Sequence, residues 1–131
     1  MSEQRVDLDT LIGDIFKQKK VVATLHLDSD CHILTEDIKP LVKVFNYLIN
    51  YLRQLTKNPP DVTLKQQSDG CLLCLVISTD EKKLPHISDQ MEEVLRSYKA
   101  AMRVVFEEEK YLQILIHFCM DRVPDSVVIE V

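Results

Sequence analysis

Glycine is scarce: the chain holds two, Gly13 and Gly70, in 131 residues. A Walker A loop needs two glycines in one short segment, and a dinucleotide fingerprint needs three. Gly13 and Gly70 stand far apart, so both phosphate-cradling motifs are excluded. Long apolar runs are missing too. None approaches the roughly 20 residues of a transmembrane helix, and no membrane partner is expected. The opening Met1-Ser2-Glu3-Gln4-Arg5 is polar, with Asp7 and Asp9 close behind, unlike a signal peptide. The four cysteines, Cys31, Cys71, Cys74 and Cys119, lack the density of a secreted disulfide framework. Together these features point to a cytoplasmic protein with reduced thiols. Basic residues are outnumbered 16 to 21, for a net charge of −5. Nucleic acid is therefore not an expected partner, because phosphate affinity needs a basic face.

What is present suits one globular domain over residues 1–131. Apolar residues make up 46% and charged residues 28%, enough of each for a packed core under a charged surface. Leu8, Leu11, Ile12, Ile15 and Phe16 share one face of a helix over 7–18, with Gly13 inside it. Residues 21–27 alternate as a strand, and 28–32 form a turn. Thr35 or Asp37 caps a long helix reaching about Lys57, where Asn58-Pro59-Pro60 stops it. Strands over 62–67 and 71–79 flank Ser68-Asp69-Gly70, a hairpin signal with positive φ at Gly70. Ser88 caps a third helix through Ile87, Met91, Val94 and Tyr98. Strands over 101–106 and 111–118 follow, joined by Glu107-Glu108-Glu109-Lys110. A tail closes the chain, its Val127-Val128-Ile129 suited to an edge strand or a partner. Several strands carry one apolar and one mixed face. The expected fold class is α+β: a two-layer α/β sandwich, its mixed, mostly antiparallel sheet covered by helices on one face.

The long helix is the best specified element. Ile38, Leu41, Phe45, Leu48, Leu52 and Leu55 form its buried stripe. The opposite sector holds Lys39, Lys43, Asn46, Asn50, Arg53, Gln54 and Lys57, with four positive charges and no carboxylate. On a net acidic chain this stripe reads either as a solvated face or as a surface for an anionic ligand or partner. Tyr47 and Tyr51 flank it and are placed to plug a cleft beside it.

Other chemistry is thin. Cys71 and Cys74 have CxxC spacing, but on a strand they point to opposite faces, so they read as structural cysteines. Cys31-His32 lacks the second ligand pair of a zinc site. His26, His86 and His117 are isolated. No metal site is expected.

The segment Asn46-Tyr47-Leu48-Ile49-Asn50-Tyr51-Leu52-Arg53 resembles the N-box helix of the histidine-kinase-type ATPase domain, the GHKL or Bergerat fold. Its usual pattern is Asn-Leu-Leu-x-Asn-Ala-x-Lys. The element order over residues 8–118 is similar to that family's. The resemblance implies that Asn50 stands where the family holds the magnesium bridging the ATP phosphates, with Asn46 and Arg53 beside it. The resemblance leaves Asp80 as the one candidate for its adenine-reading carboxylate, with no glycine accompanying it. The departures lie in the loops. The family's Asp-x-Gly-x-Gly is replaced by Ser78-Thr79-Asp80-Glu81-Lys82-Lys83-Leu84. Ala100-Ala101 and the 107–110 turn stand where it has further glycines, and these residues resist the positive φ that glycine accepts. The resemblance therefore implies a degenerate scaffold that has lost ATP binding and has no cofactor. Its role would be a non-catalytic signalling or regulatory one, through a protein partner of a bacterial pathway or through self-association. The candidate binding residues are Lys43, Asn46, Asn50, Arg53 and Asp80. Two alternatives stay open. One is a divergent Mg-ATP-dependent serine or histidine protein kinase of the anti-sigma-factor type. The other is an unrelated α+β interaction module whose basic helix stripe meets an acidic partner.

Overall fold

Helical stepping and strand alternation translate into three helices and seven strands among the described residues. The computed structural model describes residues 3–119. In chain order the elements are β1 (Gln4–Asp7), α1 (Leu8–Lys19), β2 (Thr24–Leu27), β3 (His32–Thr35), α2 (Lys39–Leu55), β4 (Asp61–Gln67), β5 (Gly70–Ser78), α3 (Gln90–Arg96), β6 (Ala100–Glu107) and β7 (Tyr111–Cys119). The tail residues Val127-Val128-Ile129 lie outside the described residues.

Five strands form one sheet in the order β2-β4-β5-β7-β6. β2 runs parallel to β4 and the other pairs are antiparallel. Parallel pairing needs a crossover, and here α2 lies within it. The period-two pattern fixes which face the helices cover. Cys71, Leu73, Leu75 and Ile77 of β5 are buried, as are Leu112, Ile114, Ile116 and Phe118 of β7. Their neighbours Leu72, Cys74, Val76, Gln113, Leu115 and His117 turn the other way and are half-buried. The α+β two-layer architecture expected from the sequence is the one found.

α2 packs as its stripe requires. Leu41, Val44, Phe45, Leu48, Leu52 and Leu55 are buried, and each fully buried leucine contributes about 1.5–3 kcal/mol of transfer free energy. Phe45 meets Phe118 edge-on, with ring centroids 6.5 Å apart. Pro40 sits in the first turn, where its missing N–H removes no helical bond. The backbone N–H of Lys39 donates to Asp37 Oδ1 at 3.0 Å, so Asp37 supplies the expected polar start from just outside the helix.

Three features depart from the sequence reading. First, β1 and β3 form a separate two-stranded antiparallel sheet, so residues 32–35 are extended instead of belonging to a turn and cap. Second, Cys31 and Cys71 are not reduced thiols but a disulfide across 40 residues, with Cα atoms 6.0 Å apart. Leu8 N–H donates to Cys31 O and ties the loop before β3 to the start of α1; Cys71, near the start of β5, lies within bridging range of Cys31. Cys74 and Cys119 stay free. Third, Glu109 adopts φ 61° in the β6–β7 turn, and Lys20 and Lys99 also take positive φ. At Lys20 the reason is a complete Schellman cap: Lys20 N–H donates to Lys17 O and Val21 N–H to Phe16 O, satisfying the last carbonyls of α1. Such bonds outweigh the 1–2 kcal/mol a left-handed side-chain residue costs.

Gly13 faces the opposite situation. A Cβ built there meets nothing within 4 Å, and the residue lies mid-helix in α1. Gly13→Ala is expected to raise unfolding stability by about 0.5–1 kcal/mol, measured by urea denaturation.

Candidate functional site

Lys43, Asn46, Asn50 and Arg53 recur at steps of three and four along α2, so they lie in one row roughly 15 Å long. The structure brings these four together on the outer face of the helix. Lys43, Asn50 and Arg53 are exposed and Asn46 is half-buried. None of the three charged or amide side chains at the exposed positions makes an ion pair or hydrogen bond among the described residues. Asp80 is positioned from another direction. Its neighbour Thr79 is buried at 5% exposure, and the Thr79 hydroxyl donates to Leu55 O at 2.9 Å. Glu109 N–H donates to Glu81 O at 2.9 Å. Asp80 is therefore held, exposed, between the C-terminal end of α2 and the β6–β7 turn.

Between the row and the core lie two residues whose role in the fold the sequence only partly signalled. Tyr47 and Tyr51, one turn apart, stack with centroids 6.4 Å apart at 20°. The Tyr51 hydroxyl donates to Pro85 O at 2.6 Å, and Ser88 N–H donates to the Tyr47 hydroxyl at 3.0 Å. With Thr79 anchored on Leu55, the segment 79–89 is tied to α2 at three points. Leu84 and Ile87 from the same segment pack on the core. Tyr98, past the end of α3, donates its hydroxyl to Asp37 O at 2.6 Å and fastens the far end. The i, i+4 tyrosine pair was visible in the sequence; the carbonyl and amide that it bonds, 34 and 41 residues away, were not.

Burial, and then the charge of Tyr47, raises the Tyr51 phenol above its ordinary value. A group with a raised acid pKa holds its proton longer when folded. Its share of stability is present at neutral pH and falls as pH rises past the ordinary tyrosine value of about 10. Throughout the neutral range Tyr51 therefore remains a donor to Pro85.

Arg53 turns toward the α1 side of the helix, where it lines a cleft of about 370 Å³. The described residues contain no cluster of His, Cys, Asp or Glu able to hold a metal ion, and no helix among them is long and apolar enough to cross a membrane.

The layered architecture of sheet and helices has counterparts in solved structures. The histidine kinase domain of the E. coli osmosensor EnvZ aligns with a TM-score of 0.71 at 9% identity, over 94% of this chain and 92% of that one. The fold is that of a histidine-kinase-type ATPase domain. The Acinetobacter baumannii histidine kinase AdeS aligns at 0.64 with 15% identity, over 93% of this chain and 69% of that one. A nucleotide-free form of the catalytic domain of the histidine kinase ThkA aligns at 0.62 with 12% identity, over 91% and 96%. No family model and no curated protein sequence matches the chain. These alignments favour that fold over an α+β architecture of another kind.

Proposed function

We propose that this chain is a non-catalytic signalling or regulatory binding module on a histidine-kinase-type ATPase scaffold, without productive ATP binding. The carrying observation is the pair of hydrogen bonds that joins Tyr47 and Tyr51 to the segment 79–89, one accepted by Tyr47 and one donated by Tyr51. In the N-box pattern, Tyr51 stands at the alanine. A phenol ring takes the space a methyl would leave, and its hydroxyl draws the segment down onto the helix. The replaced glycines support the same reading. Glu107, Glu108 and Glu109 put carboxylates where phosphate would need backbone N–H groups. The basic row Lys43, Asn46, Asn50 and Arg53 then serves as a face for an acidic partner protein of a bacterial signalling pathway, or for a second copy.

Titration calorimetry with Mg-ATP is expected to show no binding tighter than about 1 mM, equivalent to roughly 4 kcal/mol. Micromolar affinity that Asn50→Ala abolishes would overturn the proposal. One observation favours a second reading. Asn50 is exposed and Asp80 is held at the end of the same helix, so a divergent Mg-ATP-dependent serine or histidine kinase of the anti-sigma-factor type would find both side chains accessible. Transfer of labelled phosphate to a co-purified partner, lost in Asn50→Ala and in Asp80→Asn, separates that reading from the first.

A further inference from the structure

A second cleft lies away from the tyrosines. It opens between the C-terminal ends of α1 and α2, with a volume of about 370 Å³, in the lower range of small-molecule sites. Its floor is apolar: Phe16, Val21, Ile49, Leu52 and Ile77. Its rim carries Lys20, Arg53 and Lys57, all exposed, and among the described residues no carboxylate lines it. None of the three cations has an ion-pair partner among the described residues. The segment 79–89 and α3 contribute nothing to its lining, so it is separate from the face that Tyr47 and Tyr51 close.

The walls are fixed before any ligand arrives. The Schellman cap sets Lys20 at the lip of α1. Thr24 N–H donates to Pro60 O at 3.0 Å and joins the two sides. Asn58 is held through its Nδ2 on Ser78 Oγ at 3.0 Å and its backbone N–H on Thr56 Oγ1 at 3.1 Å. Pre-formed walls lower the ordering cost of binding. The electrostatics also decide for one sign. Two helix C-termini end here, each worth roughly half a negative charge, and that of α1 is capped. Three full positive charges outweigh them.

We infer that this cleft binds a small organic anion: a carboxylate or phosphate on an apolar, ring-sized body. The body fills the floor formed by Phe16, Ile49 and Ile77, and the anionic group sits among Lys20, Arg53 and Lys57. Apolar burial and charge are both required, which sets the site apart from a basic patch that collects free phosphate.

The test uses 4-(trifluoromethyl)benzoate as probe, followed by fluorine NMR and by amide shifts of the whole chain. Saturable binding at millimolar concentration or tighter is expected, with the largest amide shifts at Lys20, Val21, Arg53 and Asn58. The neutral amide 4-(trifluoromethyl)benzamide and inorganic phosphate alone are each expected to bind about tenfold more weakly. Arg53→Glu with Lys57→Glu is expected to weaken the benzoate by about tenfold or more, since each reversal turns an attraction into a repulsion. Both positions are exposed, so the variant retains the wild-type spectrum elsewhere. Non-saturable shifts, shifts centred on another face, equal affinity for benzoate and benzamide, or unchanged affinity in the double variant would each overturn the inference.

Discussion

Replacing Gly70 by alanine is expected to lower unfolding stability by about 3–5 kcal/mol. Gly70 opens β5 with φ +153°, and a Cβ there would stand 1.9 Å from the carbonyl oxygen of Phe118. That oxygen belongs to the backbone of β7, so no side-chain rotation relieves the clash. Either β5 or β7 must shift at the register pair Gly70↔Cys119. Overpacking of this kind costs about 1–3 kcal/mol, and a glycine-only backbone conformation adds roughly 1–3 kcal/mol more. The neighbouring residue is Cys71, whose disulfide to Cys31 resists the displacement that would spread the strain. Urea denaturation of Gly70→Ala beside Gly13→Ala checks both signs in one experiment. One glycine is required by its surroundings and the other is dispensable. A loss below about 1 kcal/mol at position 70 would show that the strand ends are far more yielding than their pairing implies.

Those two glycines also mark what a linear sequence reveals. The hairpin around Ser68-Asp69-Gly70 was legible because a two-residue turn and its flanking alternation are local. So was α2, whose six apolar residues repeat over five turns and whose Pro40 and Asn58-Pro59-Pro60 mark its limits. β1 and β3 were not legible. Each is four residues long, too short to display a period, and each pairs with a segment about 30 residues away. The Cys31–Cys71 bond is likewise non-local, joining residues 40 apart in the chain. Residues 107–110 lack glycine and so resist positive φ, yet Glu109 takes it. Its N–H bond to Glu81 and the i, i+3 bond from Lys110 to Glu107 hold the turn, at a conformational cost that sequence alone does not weigh. For the candidate site, the row from Lys43 to Arg53 followed from helical spacing. Its second wall, from Thr79 to Ser88, depends on tertiary bonds to Leu55, Tyr51 and Tyr47. The cleft lined by Lys20 and Lys57 requires α1 and α2 to end side by side, and nothing within either helix specifies that.

Reducing the Cys31–Cys71 disulfide is expected to cost about 4 kcal/mol of stability. The bond closes a loop of 40 residues, and the chain-entropy relation for a loop of that length gives about this value. Both cysteines are fully buried at 0% exposure. Reduction therefore leaves the packing around two buried thiols nearly intact, so the loss reports the cross-link itself. The bond staples the loop leading into β3 to the start of β5, and through β3 it fastens the small sheet to the large one. Without it, β1 and β3 are joined to the main body through α1, α2 and the Leu8–Cys31 hydrogen bond. Four-residue strands paired only with each other are marginal alone. Amide exchange in Gln4–Asp7 and His32–Thr35 is therefore expected to accelerate first on reduction, while β5 and β7 stay protected. Guanidinium denaturation with and without dithiothreitol measures the global loss, and the midpoint temperature is expected to fall by roughly 10–20 °C. Cys31→Ala should match the reduced protein to within the small volume change and lose all sensitivity to the reductant. Cys74→Ala should keep that sensitivity in full, because Cys74 is free. Equal stability with and without reductant, in protein whose Cys31–Cys71 bond has been verified by peptide mapping, would contradict this account. It would mean that the unfolded chain already holds these segments together.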